Sequence, residues 1–164
     1  MKQLLLATLS VGLLSSHGSA QPSTRPALEG VWRVVEAAIT GPGARTIGFG
    51  ERPNLTIITA RHYSRVEVQA DGPRPILADV AKASADDLRA VWGPFVGEAG
   101  TYEVTPGGLV TMRPIASKNP AVMGPGVFIT YSYKLEGDTL SLTQQRNQSG
   151  SFANPFTLKL VRVE

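Results

Sequence analysis

The chain has 164 residues, 16 basic and 13 acidic side chains, a formal net charge of +3 and no cysteine. So small a surplus of positive charge argues against a nucleic-acid partner, which needs a clustered basic face. Without cysteine no disulfide can form, so stability must come from packing alone.

Met1 and Lys2 lead into the apolar run Leu4 to Leu14, and Gly18-Ser19-Ala20 precedes Gln21. This is the layout of a secretory signal peptide cleaved after Ala20, and the run is shorter than the roughly 20 apolar residues a bilayer span requires. The reading is therefore a signal peptide over residues 1–20, a short tether over 21–26 and a single domain over 27–164, in a protein that is secreted or periplasmic. No integral membrane span is expected after cleavage.

In the mature chain, short β-rich runs recur at regular intervals. Strands are expected near Gly30 to Ala37, Leu55 to Ala60, Tyr63 to Ala70, Gly100 to Thr105, Leu109 to Ser117, Val127 to Leu135, Thr139 to Gln144 and Phe156 to Val163. Pro106-Gly107-Gly108 and Glu136-Gly137-Asp138 read as hairpin connections between neighbouring strands. One short helix is expected between the third and fourth of these strands. Ser84 caps it, Asp86 and Asp87 complement its N-terminal dipole, and Gly93-Pro94 ends it. Eight sequentially paired strands give an all-β domain, an antiparallel up-and-down barrel in preference to a sandwich, because closure removes exposed edges.

Strand alternation then assigns faces. In the stretch from Tyr63 to Gln69, turning Val66 and Val68 outward forgoes about 1.5–3 kcal/mol each. Turning Arg65 and Glu67 inward adds several kcal/mol of desolvation per ion unless they pair well. The valines are thus expected inside and the charges outside. The same test makes a mostly apolar lumen from Tyr102, Met112, Ile129, Tyr131, Tyr133, Leu142 and Phe156. Buried phenols need hydrogen-bond partners, so the tyrosines either bond within the core or offer handles to a ligand. The helix exit with Trp92 and Phe95 is either a lid over an open end or a fixed plug.

Catalytic chemistry is sparse. His62 is the single histidine of the mature chain, without companions for a metal set, and Ser64 points to the opposite face of its strand, so no Ser-His arrangement forms. No catalytic residue, no metal ligand and no cofactor is assigned.

Glu29-Gly30-Val31-Trp32 resembles the Gly-X-Trp signature of lipocalins. The series Gly100-Thr101-Tyr102-Glu103-Val104, Asn119-Pro120-Ala121-Val122-Met123-Gly124 and Leu135-Glu136-Gly137-Asp138-Thr139-Leu140 is similar to the bacterial lipocalin-like domain family, a calycin-type β-barrel. The second lipocalin signature, Thr-Asp-Tyr, does not occur, and Met112 stands where related domains are expected to carry a histidine. The resemblance implies that Trp32 closes one end of the barrel under Arg162, a guanidinium-on-indole contact. It also implies an exported protein that binds a small apolar or ring-containing ligand in the lumen. An isomerase- or cyclase-type enzyme, and a sealed barrel acting as a surface interaction module, remain the alternatives.

Overall fold

The computed structural model describes residues 28–164; the expected signal peptide and tether lie outside the described residues. Ten strands follow in order: β1 (Gly30–Ile39), β2 (Arg45–Gly48), β3 (Asn54–Ile58), β4 (His62–Val68), β5 (Phe95–Thr105), β6 (Leu109–Ser117), β7 (Ile129–Glu136), β8 (Thr139–Asn147), β9 (Gly150–Ser151) and β10 (Phe156–Arg162). The α-helix, α1 (Ala85–Trp92), lies between β4 and β5. Its place in the strand count corrects the expectation of a helix between the third and fourth strands, since Arg45–Gly48 forms an additional strand against β1.

The sheet runs antiparallel through β1, β3, β4, β5, β6, β7 and β8, and β10 pairs with both β8 and β1, which closes an eight-stranded barrel. The two expected hairpins are present, with Thr105 facing Leu109 and Glu136 facing Thr139. Several strands are longer than local pattern suggests. β5 starts at Phe95 and not near Gly100, because its first residues pair with the whole length of β4. β-Bulges bend β1 at Val35, between Val34 and Glu36, and β6 at Ile115, opposite Ala99 and Gly100 of β5. Gly100 has to be glycine here: a Cβ would lie 2.1 Å from the Arg113 carbonyl oxygen.

One end of the barrel is dry. Trp32, Leu28, Leu140, Leu160, Val34 and Val110 are all but inaccessible there. The Trp32 indole donates to the Leu28 carbonyl at 3.0 Å, and the Arg162 guanidinium carbon sits 4.1 Å over its ring. Arg162 also donates to the Glu29 carbonyl at 2.6 Å and faces Asp138 at 3.6 Å. Gly30, at φ 144°, makes room for this arginine, since a Cβ would fall 2.2 Å from its Nη1.

Halfway up, β1 and β3 part, and their ladder ends at the Trp32–Thr56 pair. The Asn54 side chain spans the gap. Its carbonyl accepts from Val34 N at 2.6 Å, and its amide donates to the Val34 carbonyl at 3.1 Å and the Arg52 carbonyl at 2.9 Å. Above this point β1 pairs with β2 instead.

The helix lies against this scaffold without burying a side chain. Ser84 and Asp87 form a capping box at its N-terminus. At its other end Lys118 donates to the carbonyls of Trp92, Gly93 and Phe95, and Arg74 to that of Val91. Cations at helix C-terminal carbonyls complement the dipole.

Arg162→Ala should lower the stability of the barrel by about 1–3 kcal/mol through loss of the cation–π contact and the charged hydrogen bond. Urea unfolding followed by circular dichroism measures this, and Arg162→Lys should recover only part, because an ammonium cannot stack and fork like a guanidinium.

Candidate functional site

Strand β4 does not lie as its valines suggest. Tyr63 and Glu67 are buried, at 2% exposure each, while Val66 is 44% exposed. Arg65 and Glu67 point into the lumen and Val66 outward, the reverse of the expected faces. The reason lies in pairing on both sides. Tyr63 is in register with Ile58 of β3 and Gly100 of β5, and Arg65 with Thr56 and Glu98. With both ladders fixed, the inward set of β3, Thr56 and Ile58, carries Tyr63, Arg65 and Glu67 inward with it. Outside, Val66 faces Leu55, so its exposed methyls lie beside another apolar side chain.

The inward charges meet one another. Arg65 Nε lies 3.4 Å from Glu67 Oε1, within ion-pair range, although neither buried atom completes a hydrogen bond. The other oxygen of Glu67 accepts from the Gln69 amide at 3.2 Å. Glu98 accepts a 2.6 Å hydrogen bond from the Tyr63 hydroxyl. Burial alone would lower the Arg65 pKa, but Glu67, then Tyr131 and Glu98, outweigh it and hold the guanidinium more firmly protonated than usual. Burial, reinforced by Glu98, pushes the Tyr63 phenol well above its ordinary value. Burial also raises Tyr131, with Arg65 opposing.

Beside this cluster the lumen opens into a cavity of about 380 Å³. Its apolar lining includes Ile39, Ile47, Phe49, Phe156 and Leu158, and its polar lining is Arg65, Glu67, Gln69 and Arg52. The size falls in the range of small-molecule sites, about 300–1,000 Å³. A larger groove of about 580 Å³ lies between segments 48–53 and 68–74 and shares Phe49 and Arg52 with the lumen cavity. Arg52 is ion-paired there with Asp71 and stacks 5.8 Å from the Phe49 ring centroid. The lumen cavity is the better candidate, because its walls are barrel strands and it reaches the inward charges.

Of the residues expected to line the lumen, Phe156 borders this cavity. Met112, Tyr131 and Leu142 belong to the buried core, with Tyr102, Ile129 and Tyr133 packed against it. The Tyr102 hydroxyl donates to the Thr59 carbonyl at 2.7 Å, so its polar end is met by backbone. Trp92 and Phe95 meet edge to face with ring centroids 6.3 Å apart, and Phe95 is the first residue of β5. Sequence reasoning missed Tyr63, Arg65, Glu67 and Glu98. The available signal was an aromatic residue sharing parity with two opposite charges, which together can satisfy one another inside. Among the described residues no three His, Asp or Glu side chains cluster closely enough to hold a metal ion.

A scan against models of known families gives no match, and a comparison with curated proteins gives none either.

Removing one partner of a buried ion pair leaves the other charge uncompensated. Glu67→Leu should therefore cost about 3 kcal/mol, whereas the double change Arg65→Met with Glu67→Leu should return close to the original stability. Chemical unfolding of the four proteins in the cycle reads this directly. The raised phenols give a second test: a group whose folded pKa exceeds its unfolded value near 10 contributes stability that is present below pH 10 and lost as pH rises beyond it. Tyrosinate absorbance at 295 nm should include Tyr63 and Tyr131 only as the barrel unfolds, and Tyr63→Phe should remove part of that alkaline instability.

Proposed function

We propose that the barrel binds a small molecule in its lumen cavity, with the ligand's apolar body against Ile39, Ile47, Phe156 and Leu158 and its polar end toward Arg65. One observation carries this reading. Arg65 is directed into an apolar-walled cavity and donates no hydrogen bond to a described residue, while its side chain keeps 23% exposure and its Nε is buried. The accessible part is therefore elsewhere on the side chain, and a guanidinium has five N–H donors to offer. Buried donors without partners are costly, so a site of this kind gains when a ligand supplies the acceptor. The lipocalin-like sequence pattern points to the same class of function, an exported carrier or binder of an apolar ligand.

A second reading, an enzyme that moves a proton within the cavity, draws support from the meeting of a phenol, a guanidinium and two carboxylates inside the barrel. The arrangement favours binding over this chemistry. Glu67 Oε1 is shut away from solvent and its Oε2 is taken by Gln69, while Tyr63 donates to Glu98. A general base must reach the proton it abstracts, and neither carboxylate is presented to the cavity in that way.

Protein purified from its own source should carry a bound small molecule, seen as a mass increment in native mass spectrometry and released on denaturation. Ile47→Trp should fill the cavity and abolish the increment while leaving the far-ultraviolet circular dichroism unchanged. An unliganded mass for the unsubstituted protein, together with no response to any small-molecule panel, would overturn the reading.

A further inference from the structure

Building on the reading of the lumen as a binding site, we infer that its ligand presents a neutral oxygen acceptor, such as the carbonyl of a ketone, ester or amide, and not a carboxylate or an amine.

The charge balance around Arg65 carries this. The guanidinium is flanked by Glu67 on its own strand at 3.4 Å and by Glu98 directly across the β4–β5 ladder. One formal positive charge thus stands between two formal negative ones. Tyr63 on the same strand and Tyr131 and Gln144 from β7 and β8 also pack here, none of them cationic. The remaining cation at the cavity, Arg52, is ion-paired with Asp71. An anionic ligand head would add a third negative charge to an apolar-walled space, where charge repulsion is screened far less than in water.

A cationic head fares no better. The carboxylates that could attract it are turned to protein partners, Glu67 to Gln69 and Glu98 to Tyr63. Among the described residues that line the cavity, the guanidinium is the charged group without a hydrogen-bonding partner, and it repels a cation at contact. What remains is an uncharged group that accepts hydrogen bonds. An arginine backed by a buried carboxylate offers donors to such a group without the full desolvation cost of a lone cation.

A matched series of probes tests this: octanamide, octanoate and octylamine, which differ only in the head group. Each is titrated at pH 7 into protein with labelled isoleucine and leucine methyl groups. The methyl resonances of Ile39, Ile47 and Leu158 locate binding in the cavity. Octanamide should bind about tenfold or more tightly than either charged probe. Glu67→Gln removes one of the two negative charges, so in that variant octanoate should gain on octanamide and most of the difference should vanish. Octanoate or octylamine binding the unsubstituted protein as tightly as octanamide would overturn the inference and leave the binding site itself standing. Absence of any shift at the three residues with all probes would overturn it as well, and the native mass measurement then judges the broader reading separately.

Discussion

Register is the constraint on which this barrel depends. A strand hydrogen-bonded on both sides cannot choose its faces for itself: shifting β4 by one residue would reverse every side chain from Tyr63 to Val68 and break both of its ladders. The fold therefore accepts a guanidinium and two carboxylates indoors and a valine outdoors, and makes the interior charges tolerable by setting them against one another. Tyr63 adds to the balance, because the same parity that admits Arg65 and Glu67 also buries this large ring.

The two ends of the lumen consequently differ in kind. At the Trp32 end, apolar side chains fill the space and Arg162 lies over the indole from outside. Toward Phe49 and Phe156 the packing gives way to a cavity with charge on its wall. Both ends use an arginine, to opposite effect. Arg162 donates to the Glu29 carbonyl and stacks on a ring, which ties the termini of the first and last strands together. Arg65 has its carboxylate but no hydrogen bond from its side chain to a described residue, which leaves N–H donors without an acceptor in the molecule's interior.

Most of the architecture was legible from alternation and turns. The eight barrel strands, the hairpins at Pro106-Gly107-Gly108 and Glu136-Gly137-Asp138, and the capped helix follow from local patterns that tertiary structure had no reason to override. The candidate site was not legible in the same way. Weighing Val66 and Val68 against Arg65 and Glu67 treats the charges as isolated ions and the strand as independent. Gln69 is a neighbour in sequence, but Glu98 on β5 and the ladders that fix parity are non-local facts. Short strands such as Arg45–Gly48 and Gly150–Ser151 escaped notice because too few residues alternate to show a period. The cavity wall borrows from the first of these, through Ile47.

The Asn54 amide that spans the parting of β1 and β3 gives the wall a particular mechanical character. On either side of that point the barrel is laced by backbone ladders that open only cooperatively, whereas here one side chain holds the Val34 backbone through both of its polar groups. A side-chain clasp can release by rotation about its own bonds, without unzipping a strand. The closed barrel therefore has a seam beside the lumen, where opening requires no ladder to unzip, the kind of local opening that lies below the global unfolding energy.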